Sequence, residues 1–319
     1  GGGGSQSLGV ALEVPPSSQA VVFDIAAAIS FVSAGSALNN MHAMLGAPGA
    51  MLDFDGCRAA AVAEWEAVLG QVELADAAAL AETRRDELVV LYTAAYHAHL
   101  SPTTYTEANG EFMGFDGAVH TLPYAAGNAT GPRHVSDLSL WDTFRSHAPL
   151  MVLIQPDMAR DTVNSMLSMY QLSGNQTFPM WPMANVETGL MVAHHGVIHI
   201  ADAIKRGLRG FDKETALEAI VYTIKLQDEK KLGAKNYASI EETRRSAAKT
   251  LDYALDAGAL KTLGEWLNRS DIVEMFANHS QAYRNVWSSA AQQFCPRWPN
   301  GTMSCQYPYI PYGLGGKGF

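Results

Sequence analysis

Apolar residues recur three and four positions apart over most of this chain, and that spacing marks it as helical before anything else is considered. Val163, Met166, Leu167 and Tyr170 share one helical face behind Pro156, a residue suited to a first turn. Leu217, Ile220, Val221 and Ile224 follow Asp212, whose side chain can cap them. Val62, Trp65 and Leu69 repeat the pattern nearer the N-terminus, as do Leu88, Leu91, Tyr92 and Ala95. Ser239 and Glu242 have capping-box spacing ahead of a helix predicted to run through Leu263. Ser270 is predicted to open another, carrying Phe276, Tyr283 and Trp287. Roughly eight helices are expected on this pattern. Residues 19 to 33 lack the spacing and read as one or two strands. No repeat of fixed period is present, which excludes a solenoid.

At 319 residues the chain can bury a sizeable core as one large or two ordinary domains. Its 48% hydrophobic and 17% charged residues exclude a disordered chain. A net charge of -10 argues against nucleic acid or an anionic membrane as partner. Residues 25 to 52 carry no Asp, Glu, Lys or Arg, but Asn39, Asn40, His42 and Pro48 interrupt them, so no membrane span is expected. The chain opens with GGGGS, a linker or native sequence, and its ends read as cut. Cys295 and Cys305 bracket a Pro/Asn/Gly loop, so a local disulfide is expected, with Cys57 a buried free thiol; a pairing through Cys57 is the alternative. Five N-x-S/T sequons, at Asn128, Asn175, Asn268, Asn278 and Asn300, favour a secreted glycoprotein.

No G-x-S-x-G, Walker loop, dinucleotide fingerprint or H-E-x-x-H is present. His194, His195 and His199 are expected within an apolar helix, as satisfied core or pocket histidines rather than metal ligands. The long loops, about 101–136 and 172–185, are the expected carriers of a site. Beside them SLWDTFR places Trp141, Asp142 and Arg145 together, and WPMANVET adds Trp181, Glu187 and Thr188. An indole offers a large apolar face, and ionised Asp, Glu and Arg make charge-assisted hydrogen bonds, the combination that holds a sugar ring and its hydroxyls. Each carboxylate also has a plain structural explanation. Asp116, between glycines in FMGFDGAVH, suits an Asx-turn; Asp142 suits a helix start paired with Arg145; Glu187 suits a first helical turn. Their joint presence with two indoles favours a sugar site.

The sequence resembles glycoside hydrolase family 92, the calcium-dependent, inverting, exo-acting α-mannosidases. The resemblance runs in order through residues 29–40 (ISFVSAGSALNN), 91–120, 138–150 (LSLWDTFRSHAPL), 180–212 and 249–260 (KTLDYALDAGAL). It implies a mainly α fold, the first half of an (α/α)6 toroid preceded by the last strands of a β-sandwich. Residues 1–50 would end the sandwich domain, 51–76 would form a connecting helix, and 77–319 the first part of the catalytic domain. Residues 29–40 would be the last sandwich strand. Trp141 and Asp142 match the pair lining the terminal mannose subsite. Asp116, Arg145, Trp181, Glu187 and Thr188 match positions in or beside that pocket, and His195 and Asp202 match the motif as well.

The same resemblance places the general acid, the general base and most calcium contacts beyond Phe319, so no catalytic residue is named within the chain, its metal ligands are unassigned, and half a toroid alone should be inactive. Mannose-containing glycans and the remainder of the chain itself are the implied partners. Three departures stand out: Val186 before Glu187, Asp252 in Thr250-Leu251-Asp252-Tyr253, and Asp256-Ala257-Gly258 where the family has Asp-Asp-Trp. They leave a non-catalytic structural or glycan-binding relative as the alternative.

Overall fold

The computed structural model describes residues 16, 25–46, 53–122, 131–243 and 245–305. Four helices lead: α1 (Ala34–Leu45), α2 (Phe54–Leu69), α3 (Ala77–Thr83) and α4 (Arg85–Ala98). Four short strands follow, β1 (Thr103–Thr104), β2 (Glu111–Met113), β3 (Val119–Thr121) and β4 (Val135–Ser136). Next come α5 (Leu140–Thr143), α6 (His147–Ile154) and α7 (Pro156–Leu172), then β5 (Pro182–Met183) and β6 (Val186–Glu187). The C-terminal part holds α8 (Gly196–Lys205), α9 (Lys213–Lys231), α10 (Ser246–Leu267), α11 (Ser270–Ala277), β7 (Trp287–Ser288) and β8 (Gln293–Phe294). The strands form four two-stranded antiparallel pairs, β1 with β4, β2 with β3, β5 with β6 and β7 with β8.

The core lies between α7, α8, α9, α10 and α11, where Val163, Met166, Ile200, Ile220, Leu260 and Phe276 are sealed from solvent. Each such side chain contributes about 1.5–3 kcal/mol by leaving water. Local signals place these helices. Pro156 occupies the first turn of α7. Asp212 accepts from the Glu214 and Thr215 amides, both at 3.1 Å, and starts α9. Asn268 ends α10 in the left-handed conformation at φ 56°. At Gly264 a side chain would meet Ile272 at 3.1 Å, so its absence lets α11 close on α10.

Several expectations fail for definable reasons. The proposed strand through 29–40 is instead α1 and its entry. Ser33 caps α1 by accepting from the Ser36 amide at 3.0 Å, and the Phe31 amide donates to the buried Glu107 carboxylate at 2.9 Å rather than to a neighbouring strand. Residues 25 to 33 contain no strand, and 19 to 24 lie outside the described residues. Ser239 and Glu242 do bond, with the Ser239 amide donating to the carboxylate at 3.3 Å, but they close an isolated turn and α10 starts only at Ser246. The Ser270 segment stops at Ala277 and continues as a 3-10 helix to Val286, leaving Trp287 on a strand. The helix count also exceeds eight, because sequence periodicity does not register four- to eight-residue helices such as α5 and α6.

Cys57 is exposed, not buried, since α2 buries none of its residues. Cys295 and Cys305 are bonded to each other, with Cα atoms 4.9 Å apart. The sequon residues Asn175, Asn268, Asn278 and Asn300 are exposed, whereas Asn128 lies outside the described residues. No described helix is long and apolar enough to cross a membrane.

Candidate functional site

Three surface segments are fastened side by side, by side chains and by backbone hydrogen bonding between them. The first is the β2–β3 hairpin with Asp116 at its tip. Asp116 accepts from the Ala118 amide at 3.0 Å and from His120 Nε2 at 3.0 Å. The amide first and His120 second hold its carboxyl below the usual carboxylate range. The plain Asx-turn explanation therefore holds, and a side chain at Gly114 would collide with Asp116 at 2.5 Å.

The second segment is the β5–β6 hairpin. Its two turn residues, Ala184 and Asn185, both have positive φ, 47° and 59°, as a two-residue hairpin turn requires. Ala184 is a poor residue for that conformation, and outside contacts hold it there. The Ala184 amide donates to Asp137 Oδ1 at 2.8 Å, and the Asn185 amide to Ser136 Oγ at 3.0 Å. His134, stacked on Phe112 at 4.1 Å, donates through Nε2 to Asn185 Oδ1 at 2.7 Å. Burial holds His134 neutral, with its pKa at about 4. Tyr105 also donates to Asp137, and burial, then that carboxylate, pushes its hydroxyl up to about 12.

The third segment is α5, joined to the second where the Leu138 amide donates to the Pro182 carbonyl at 3.1 Å. Trp141 and Asp142 sit on α5, exposed. Arg145 does not pair with Asp142; its guanidinium lies over the Phe144 ring, 4.8 Å from the centroid. Phe144 in turn packs on His195, with ring centroids 4.5 Å apart.

Glu187 lies on β6, not in a helix, and braces the loop that carries Trp181. It accepts from the amides of Met180 at 2.6 Å, Trp181 at 3.1 Å and Gly189 at 2.7 Å. The Thr188 hydroxyl donates to the Trp181 carbonyl at 2.7 Å. Glu187 also lines a cavity of about 360 Å³ that reaches Phe115, the neighbour of Asp116, and His194. Trp141, Asp142, Arg145 and His195 do not line that cavity, and His195 is buried.

His194 and His195 precede α8 rather than lying within it, because the helix begins at Gly196, where Leu140 and Met166 approach to 3.2 Å of any added side chain. His195 Nδ1 donates to Asp256 at 2.7 Å, its Nε2 lies 3.7 Å from Asp252, and the His194 amide donates to the other Asp256 oxygen at 2.8 Å. Burial lowers the His195 pKa, but Asp252 and Asp256 outweigh it and raise it to about 9. His199 differs from the satisfied core histidine expected, since neither ring nitrogen has a partner among the described residues. Asp202 pairs with Arg206 at 2.6 Å. Sequence reasoning missed Asp137, His134 and Asn185. Only the reach of Asp137 into a turn two segments away makes it a key residue, and no local spacing signals that.

Comparison with known sequences settles the family. The profile described as the Glycosyl hydrolase family 92 catalytic domain matches residues 36–313. The chain belongs to glycosyl hydrolase family 92. Among solved structures, the family GH92 α-mannosidase BT3965 from Bacteroides thetaiotaomicron is similar at TM-score 0.74 and 29% identity, over 88% of this chain and 36% of that one. Its complex with mannoimidazole aligns equally well, over 88% of this chain and 35% of that one. The GH92 inverting mannosidase BT2199 from the same organism shares the fold at TM-score 0.72 and 23% identity, over 87% of this chain and 37% of its own. The chain thus spans 36% of the length of the α-mannosidase BT3965. A search of curated proteins found no match.

The mainly helical architecture agrees with this family 92 membership. Calcium requires six to eight oxygen ligands. Among the described residues no three His, Cys, Asp or Glu side chains converge as a metal site.

Proposed function

We propose that the full-length protein is an inverting exo-α-mannosidase that releases terminal α-linked mannose from glycans, and that this chain supplies one wall of its substrate pocket. The observation that carries this reading is the fastening of the Asp116 hairpin, α5 and the Trp181 loop into one surface through His134–Asn185, Asp137–Ala184 and Leu138–Pro182. The 29% identity to an α-mannosidase over 88% of the chain supports it. The exposed Trp141 indole offers a face for the pyranose, Asp142 an acceptor for its hydroxyls, and Arg145 a fixed cation beside them. Glu187 and Thr188 act by holding Trp181 in place. An inverting reaction needs an acid to protonate the leaving oxygen and a base to activate water, about 6.5–9.5 Å apart. By the resemblance both belong to residues outside these 319, as do most of the calcium ligands.

Residues 77–319 would form the first part of an (α/α)6 catalytic domain, residues 1–50 the end of a preceding domain and 51–76 the connection. Secretion as a glycoprotein is supported by the exposed sequons at Asn175, Asn268, Asn278 and Asn300 and by the Cys295–Cys305 disulfide.

The test is hydrolysis of α-mannobiose by the full-length protein with and without calcium, the anomer of the first mannose released being read by NMR. Initial β-mannose and loss of turnover on chelation are expected. Binding of mannosides without any hydrolysis in calcium would instead establish the non-catalytic reading. The alternative rests on one departure: Gly258 stands where the resemblance implies Trp, beside a groove of about 590 Å³ along α8 and α10.

A further inference from the structure

Leu140 and Phe144, four positions apart on α5 and its C-terminal cap, are buried, while Trp141, Asp142 and Arg145 are exposed. Both buried residues meet the chain where it enters α8. Leu140 lies over Gly196, where an added Cβ would stand 3.2 Å from its Cδ1. The Phe144 ring packs on the His195 imidazole, with centroids 4.5 Å apart. The three exposed side chains therefore stand on a base made by the first residues of α8.

Arg145 depends on that base most directly. Among the described residues no carboxylate pairs with it, and its guanidinium lies over the Phe144 ring, 4.8 Å from the centroid. A guanidinium held by a ring face keeps its five N–H donors free for the oxygens of a ligand. Its place follows that of Phe144, and the place of Phe144 follows that of His195.

His195 is in turn fixed from α10. Its Nδ1 donates to one Asp256 oxygen at 2.7 Å, and the His194 amide donates to the other at 2.8 Å, so the ring and the backbone beside it are tied to one carboxylate. Burial works against charge on the ring, but Asp252 and Asp256 outweigh it, and the imidazole is protonated at neutral pH. An apolar side chain would fill this space at a lower desolvation cost. The ion pair adds direction, because the bond from Nδ1 fixes the plane of the ring on which Phe144 rests.

We propose that His195, held by Asp256, is a positioning residue for the mannosidase reaction: through Phe144 it sets where the Arg145 guanidinium stands against the sugar. The proposal rests on the mannosidase reading of the full-length protein and adds to it a residue that acts without touching substrate.

The experiment is a mutant cycle on kcat/KM for α-mannobiose in the full-length protein. Arg145→Gln should lower kcat/KM at least about tenfold, as loss of one charge-assisted hydrogen bond does. His195→Gln/Asp256→Asn removes both charges together and keeps a hydrogen bond between the two positions, so no lone charge is left buried. This paired variant should also lose about tenfold, because a misplaced group forfeits most of its effect. With Arg145 already Gln, the same paired substitution should cost less than about twofold, the non-additivity expected of residues that act through one another. Phe144→Leu, which fills the space without a ring face, should give the same pattern and carries the cycle if the paired variant does not fold. Equal losses in both backgrounds would show that His195 supports the fold alone and overturn the proposal, as would a folded paired variant as active as the parent. Hydrolysis by the parent with such an additive cycle refutes this inference and leaves the mannosidase reading intact. A parent that hydrolyses no mannoside refutes that reading, and this inference with it.

Discussion

His195 Nδ1 lies 2.7 Å from Asp256 Oδ1, and neither side chain reaches solvent. The ion pair couples the chain entering α8 to the middle of α10, and Phe144 rests on its imidazole face. Removing one partner of such a pair leaves an uncompensated buried charge, which costs about 3–5 kcal/mol. Asp256→Asn is therefore expected to lower the unfolding free energy by that order. Chemical denaturation would check it, and a loss under about 1 kcal/mol would show the pair to be dispensable.

The same pair makes stability depend on alkaline pH. The His195 pKa, about 9 in the folded protein, is above the ordinary 6.5, so its contribution is complete below about pH 6.5 and is lost as pH rises through 9. Unfolding midpoints should fall between those values, and the slope should flatten in His195→Gln. A slope unchanged by that substitution would assign the effect to other groups.

At acid pH the sign reverses. His134 and His199, held near pKa 4 chiefly by burial, are neutral in the folded state and protonate more readily when unfolded. Their contribution is present above about pH 6.5 and is lost as pH falls through 4. His199→Leu, which removes two buried nitrogens with no partner among the described residues, should raise the midpoint at pH 5 more than at pH 7. An equal change at both values would mean that packing alone is responsible.

The long helices were legible because their signals are local. Pro156, Asp212 and the apolar spacing of Val163 to Tyr170 act within one or two turns of themselves. The motif residues of the site were legible in the same way, but their roles were not. Glu187 and Asp116 face their own loops' amides, while the residues that fasten the loops together, His134, Asp137 and Asn185, are 22 or more positions from partners they meet only after folding. Nothing in residues 29–40 announces that Glu107 will take the Phe31 amide, and without that long-range bond the segment reads as a strand.

Gly258 sits inside α10, its φ is not positive, and no atom lies within 4 Å of a would-be Cβ. Gly258→Ala should stabilise the protein by about 0.4–1 kcal/mol, because alanine costs less backbone entropy in a helix and meets nothing. A lowered midpoint would mean that the open groove beside it is filled in the native protein.

The most direct test of the site is Asp142→Asn in the full-length protein. Asp142 is exposed on α5, its side chain caps nothing, and it forms no ion pair with Arg145, so the substitution should leave the unfolding midpoint nearly unchanged. An amide keeps the shape and one acceptor oxygen but loses the negative charge. A hydrogen bond to a charged group contributes about 1.5–3 kcal/mol, equivalent to roughly 10- to 150-fold in rate when it is made fully in the transition state. Turnover of α-mannobiose should fall within that range or beyond it, as a drop in kcat and not only a rise in KM, if the bond strengthens as charge develops on the sugar. A variant with kcat within about twofold of the parent would remove Asp142 from the pocket and return it to the role of a solvated carboxylate at a helix start.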